Sequence, residues 1–396
     1  MPISLAILFA SLASFSAGLL RNSYPDLALL INPLDQESRL NSIVGKFVVN
    51  DDASLAIAQR LSKAGIQLAP TDARFFSAAG VLQENSGKIL NAEALYRRAL
   101  ELLPTEQQAL LGMIRIKISR GDITSSVDEL NLIALRWQKL WPNVEPLLPA
   151  IANTPEGLER LRVVFSDQRQ ARNLLVNTLA RNNETLAAAQ SLLLSWHQEG
   201  KEDLSGPINQ VTQRLMALGQ ARAAFALYRL TRTNEQANVL GIVNDADFLL
   251  EPSGNPFDWN FRQQSGMAVE HQNSDAGLVI RFLNSPIMRL RTVSQWLRLL
   301  AGTYRLVVRY EPLGLVTPSE LHISVACRSD GVELADLVLD QGERGVRESE
   351  VAFSVPANGC DLQQIQLYNN QKTESWKHRY SGKLMLHRIA IERSDR

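Results

Sequence analysis

The chain has 396 residues, too many for one ordinary core and enough for two or three domains that each bury their own apolar interior. Its 41 Lys and Arg balance 41 Asp and Glu, so no global field draws it to nucleic acid or to an anionic membrane surface. Hydrophobic residues make up 45% and charged ones 21%, a globular composition that excludes extensive disorder.

Residues 1–20 carry no charged side chain, and the run stops at Arg21. That is the length a hydrocarbon core of roughly 30 Å demands at about 1.5 Å per residue. Three readings stand: an uncleaved anchor, a signal peptide cut near Ser16 to Leu19 where small residues crowd, and a plain buried helix. Length and position favour membrane targeting and therefore export.

Pro33, Pro70 and Pro104 follow one another at a spacing close to that of a helical-hairpin array. Between the last two, Phe76, Ala79, Gly80, Ala92, Tyr96 and Ala99 stand where two packed helices need small side chains at their crossing and an aromatic ring to fill the gap beside it. The neighbouring units are more degraded. Ala58 persists before Pro70, Gly121 marks a turn after Pro104, and Gly219, Ala224 and Tyr228 repeat the turn-to-helix spacing late in the chain. From residue 143 to 206 apolar residues recur at helical spacing, as in Leu158, Leu161, Val164 and Phe165. Residues 21–240 are read as an all-α solenoid, with an irregular helical bundle as the alternative.

Beyond Gly241 the pattern changes to two-residue alternation broken by turn residues. GLVIRF (277–282), GTYRLVVRY (302–310), LHISVAC (321–327), VAFSV (351–355), IQLY (365–368) and LMLHRIAIE (384–392) are the predicted strands of a β-sandwich or jelly roll over 241–396. Cys327 and Cys360, the only cysteines, fall on such strands or their ends. In an oxidising compartment they are expected to form one structural disulfide. The fold class is thus multidomain α + β: an N-terminal apolar helix over 1–20, an all-α repeat region and an all-β sandwich.

The segment from Ala73 to Pro104 resembles a tetratricopeptide unit. The order of Asn244 to Phe248, Pro256-Phe-Asp-Trp259, the strand from Gly277, Gln295 leading into Leu297 and Leu299, Ala301-Gly-Thr-Tyr304, Cys327, Val355-Pro356 and Cys360 resembles carbohydrate-binding-like jelly-roll modules. Taken together, the chain resembles bacterial proteins associated with exopolysaccharide biosynthesis or export. The resemblance implies a periplasmic protein held at the inner membrane by its first segment, with protein partners in polysaccharide assembly and a possible polysaccharide ligand. Modules of this kind often hold a structural calcium with an Asp just before the last strand. Here that region reads Leu386-His387-Arg388, and no metal is expected.

Strand alternation gives a first view of the surface. Leu297 and Leu299 leave Trp296 and Arg298 on the other side of their strand, and Tyr304, Leu306, Val308 and Tyr310 leave Arg305 and Arg309. With His322 and Tyr368 these make a candidate outer face for an acidic polysaccharide or a protein partner. Trp259 alternates with Phe257 and Phe261 and belongs to the core. The five histidines are scattered without metal spacing, and no nucleophile elbow, dinucleotide fingerprint, zinc-protease motif or Cys-x-x-Cys occurs. Neither a catalytic residue nor a cofactor is indicated. The expected function is a non-enzymatic envelope scaffold. A remnant or accessory module of a glycan-active enzyme and a purely structural assembly subunit stay open beside it.

Overall fold

The computed structural model describes residues 12, 14–239, 241–272, 277–286, 290, 292–343, 345–370 and 379–394. Fifteen α-helices precede ten strands among these residues, which is the α + β arrangement with a sandwich that the sequence pattern predicts. The chain forms two compact units, 1–188 and 189–396. Helices end at Asn238 and strands begin at Asn260, so the second unit takes in the last helices as well as the sandwich.

In the first unit, α1 (Pro25–Ile31), α2 (Gln36–Val49), α3 (Asp52–Leu68), α4 (Ala73–Asn85), α5 (Ile89–Leu102), α6 (Gln107–Ser119) and α7 (Ile123–Arg136) each pack on the next. Acidic caps set several starts: Asp51 accepts from the Ser54 amide at 2.6 Å, Asp72 from Arg74 at 3.1 Å and Glu106 from Ala109 at 2.7 Å. Tyr96 is fully buried beside Ala92 and Ala99. A Cβ on Gly80 would sit 2.5 Å from its ring and one on Gly112 only 2.2 Å. The ring of α5 therefore occupies room vacated by glycines of both α4 and α6. Gly65 serves Phe75 in the same way, at 2.2 Å. Phe76 is half-buried and packs against the Tyr96 cluster, Phe75 is the fully enclosed ring of the neighbouring cluster, Ala79 is half-buried, and Pro104 is an exposed turn residue after α5.

After a short irregular stretch, α8 (Trp141–Val144), α9 (Leu148–Ala152), α10 (Pro155–Val164) and α11 (Arg169–Arg181) complete the first unit, and α12 (Leu186–Gln198) leads into the second. There α13 (Ser205–Ala217), α14 (Ala221–Leu230) and α15 (Asn234–Asn238) precede the sandwich.

The sandwich has two five-stranded antiparallel sheets. Sheet A has the order β1 (Asn260–Phe261), β4 (Val293–Leu297), β9 (Gln363–Asn369), β6 (Leu321–Cys327), β7 (Glu333–Leu339). Sheet B has the order β2 (Met267–Gln272), β3 (Gly277–Pro286), β10 (Arg379–Arg393), β5 (Gly302–Val316), β8 (Arg347–Val355). Successive strands repeatedly cross from one sheet to the other, the hallmark of a jelly roll. One core fills the space between them, with Ile323, Ile365 and Leu367 from sheet A against Leu306, Val308 and Leu384 from sheet B. Cys327 and Cys360 form the expected disulfide. In β10 the register shifts between Ser381 and Lys383. Gly382, at φ +86°, fits this bulge because a Cβ would stand 2.0 Å from the Gly314 carbonyl oxygen.

No helix among the described residues is long and apolar enough to cross a membrane. Residues 1–11 and 13, most of the expected N-terminal apolar helix, lie outside the described residues, as does Trp376.

Candidate functional site

The outer face of sheet A follows from strict alternation. On β4, Val293, Gln295 and Leu297 are buried while Ser294 and Trp296 are half-buried, and β9 alternates likewise. The buried amide of Gln295 is matched on both sides by the Asn244 backbone, accepting at 3.0 Å and donating at 2.9 Å. That exchange satisfies a polar group the core could not otherwise hold.

Strand register turns the outward residues into three rows. Trp296 stands opposite Gln364, which stands opposite Ala326. The next row runs Ser294, Gln366, Ser324, Asp336, and the third runs Tyr368, His322, Val338. Trp296 and Tyr368 are thus separated by one strand and by four residues along it, roughly 13 Å at about 3.3 Å per residue. Between these aromatic ends the half-buried Ser294, Gln364, Gln366 and Asp336 present hydroxyl, amide and carboxylate groups, while Ser324 beneath them is buried.

Each end is held in place. The Arg328 guanidinium lies 5.1 Å from the centroid of the Trp296 ring. Tyr368 stacks on His322 with centroids 4.9 Å apart. His322 is 4% exposed and places Nδ1 2.9 Å from Asp336 Oδ2. The Tyr368 hydroxyl donates to Glu333 and Asp336, both at 3.2 Å. Burial and these two carboxylates push its pKa up, so it remains a protonated donor across the physiological range.

The six residues drawn together from sequence do not form one platform. Trp296, His322 and Tyr368 share the outer side of sheet A, with Arg298 just past the end of β4 and half-buried, its Nε without a hydrogen-bond partner. Arg305 and Arg309 belong to β5 of sheet B, whose outer side faces the opposite way. Alternation tells which side of a strand a residue occupies but not which sheet the strand joins. Arg305 is moreover neutralised by Glu392 at 2.9 Å and Glu350 at 3.3 Å, and Arg309 stands in register with Glu348. Of the arginines expected to give an acidic polysaccharide its site, only Arg298 lies beside the aromatic face, where Arg328 also stands over the Trp296 ring.

Sequence reasoning missed Gln364, Gln366 and Asp336. The first two were available from the inward Ile365 between them. Asp336 lies on β7, where the short segment ELADLVL carries two acids and an alanine and so lacks a clear strand signal. Trp259 is core as expected, 3% exposed, with its indole N–H donating to the Asp245 carbonyl at 2.8 Å. His387 is half-buried, and its Nε2 makes no hydrogen bond.

The calcium position of such modules does not fit this chain. Asp247 receives Arg388 Nη1 at 2.7 Å on both carboxylate oxygens, and Asp245 accepts the Leu249 and Leu250 amides at 2.7 and 2.9 Å. A guanidinium of the last strand thus supplies the positive charge. Among the described residues no three His, Cys, Asp or Glu side chains converge to hold a metal. Chelation with EDTA is expected to leave the thermal unfolding midpoint unchanged. A midpoint that falls with EDTA and recovers with calcium would overturn this reading.

No family model matches the chain, and no curated protein matches it. Several solved structures do, over the C-terminal β region. The structure reported as "CBM4 structure and function" shares 12% identity over 38% of this chain and 99% of its own, with a TM-score of 0.30. A second, TmCBM61 in complex with β-1,4-galactotriose, shares 16% over 34% of this chain and 88% of its own, at 0.25. The CBM22-2 xylan-binding domain of Paenibacillus barcinonensis Xyn10C shares 14% over 38% and 98%, at 0.25. The sandwich is similar to carbohydrate-binding modules, at low identity.

Proposed function

We propose that the chain is a non-enzymatic scaffold of the cell envelope that binds a neutral glycan on the outer face of sheet A. The arrangement of Trp296 and Tyr368 about a polar floor supports this reading most directly. Pyranose rings present apolar faces to aromatic rings and hydroxyls to the amides and carboxylates between them. Gln364, Gln366 and Asp336 offer both donors and acceptors at the height of a bound sugar. A neutral ligand suits the face better than an acidic one, because Asp336 and Glu333 flank its Tyr368 end, the Arg328 guanidinium at the other end is engaged with the Trp296 ring, and the strand arginines of β5 lie on the other sheet.

The same proposal places the chain in the periplasm, held at the membrane by residues 1–20, with its tetratricopeptide-like helices engaging a protein of polysaccharide biosynthesis or export. The helical hairpins around Tyr96 support a repeat array of this type.

The test is a titration of the full chain's tryptophan fluorescence against neutral β-glucan, xylan and galactan oligosaccharides and against an acidic polysaccharide. Saturable binding of a neutral glycan is expected, weakened at least about tenfold, or 1.4 kcal/mol, by Trp296→Ala and again by Tyr368→Ala. Binding that survives both substitutions in folded protein places the ligand elsewhere. Binding of the acidic polymer alone contradicts the neutral assignment.

A further inference from the structure

The first helices of the described chain turn apolar side chains outward. Residues 14–20 are helical and enclose Ala17, while Leu12, Phe15 and Leu19, spaced three and four apart, are each more than half exposed. Helix α1 buries Ala28 and exposes Leu27 and Leu30, the latter to 79%. On α2, Ile43 is buried while Val44 and Val48 are exposed. Of the twenty-six exposed large apolar side chains among the described residues, eleven fall between positions 12 and 49, under a tenth of the chain. The terminal unit of a helical array ordinarily keeps a polar outer surface for solubility. An apolar one needs a cover.

Charge identifies the cover. Up to residue 49 the chain carries Arg21, Arg39 and Lys46 against Asp26, Asp35 and Glu37, a net charge of zero. These groups are largely paired: Arg21 with Asp35 at 3.2 Å, Lys46 with Asp26 at 2.6 Å, and Glu37 with Arg74 at 2.7 Å. The face therefore has no net field to steer a charged partner. It continues directly from twenty uncharged residues of the length that enters a bilayer.

We infer that residues 21–34 lie in the interface of a lipid bilayer, with Leu27 and Leu30 among the acyl chains and Tyr24 at headgroup level. This rests on the membrane reading of residues 1–20 and extends it, since the helix beyond Arg21 enters the interface as well. Association is hydrophobic, so it depends on neither lipid charge nor salt.

The experiment uses the full chain with phosphatidylcholine vesicles. Flotation with these vesicles is expected at low and high salt alike. Leu30→Trp is then read against vesicles of brominated phosphatidylcholine, with Leu90→Trp on α5 as the remote control, since Leu90 is 77% exposed. The added fluorescence of Leu30→Trp is quenched and that of Leu90→Trp is not. Flotation without quenching at position 30 leaves the tether standing and overturns this inference. Failure to float overturns both. Flotation that needs anionic lipid, or a concentration-dependent dimer that shields position 30 in place of lipid, overturns the hydrophobic bilayer assignment.

Discussion

A fragment beginning at residue 186 is expected to unfold cooperatively, whereas one beginning at Asn238 unfolds at a midpoint lower on the order of 10 °C. The difference lies in what α13 and α14 place over the sandwich's entry loop. Phe257 is fully buried, with the Phe225 ring edge-on at 5.1 Å and the Tyr228 ring at 5.5 Å. The Tyr228 hydroxyl donates to Asp258, which also accepts from Ser253. Asn209 donates to the Ser253 carbonyl at 2.7 Å and accepts from Asn255 at 2.9 Å. Arg232 donates to Asn244, the residue whose backbone satisfies Gln295 in β4. Cutting after α14 exposes an aromatic ring and strands these polar groups. Removing the cover of a buried phenylalanine costs about 3–5 kcal/mol by analogy with Phe truncation, and for a unit of this size each kcal/mol moves the midpoint by roughly 2–4 °C. Circular dichroism melts of the two fragments measure the difference, and equal midpoints would show that the helices are dispensable.

Reduction of the Cys327–Cys360 bridge should have an effect of similar size. The bridge joins the end of β6 to the segment ahead of β9 across 33 residues. The enclosed chain contributes β7 to sheet A and β8 to sheet B, so one link restrains a loop that must visit both layers. Loop-closure entropy for this length corresponds to about 3–4 kcal/mol. The bridge lies in the core, and Gln363 donates to the Cys360 carbonyl beside it. The paired substitution Cys327→Ser with Cys360→Ser is expected to lower the urea midpoint of the second unit, and reductant should do the same to the native chain but not to the variant. A reductant effect that persists in the variant would mean that the bridge is not its source.

The change from helical to strand character near residue 240, and six of the ten strands, were legible because apolar residues recur at period 3.6 before it and at period two after it. β6 was read over its full span. β2 and β7 were missed because MAVEHQ and ELADLVL contain charged residues and alanines that blur alternation. Tyr96 was legible as a helix-crossing residue, but Gly112 as its second neighbour was not, since contact between α5 and α6 depends on how successive hairpins stack. The candidate face was half legible. Outward direction came from alternation, whereas membership of sheet A or sheet B is a property of topology. That is why Arg305 was grouped with Trp296 although the two strands lie in different layers.

The position of β10 has a consequence for how the sandwich is made. It is the last strand in sequence, yet it stands at the centre of sheet B, between β3 and β5. Its pairing joins Tyr304 to Arg393 and Leu278 to Leu386, contacts between residues about ninety or more positions apart. Such high contact order slows folding. During synthesis β2–β3 and β5–β8 can exist only as two separate hairpin-like pairs with bare inner edges, and sheet B cannot close until the chain has been made through residue 393. Until then those edges are open to wrong partners, so the interval before β10 arrives is when this protein most needs a chaperone.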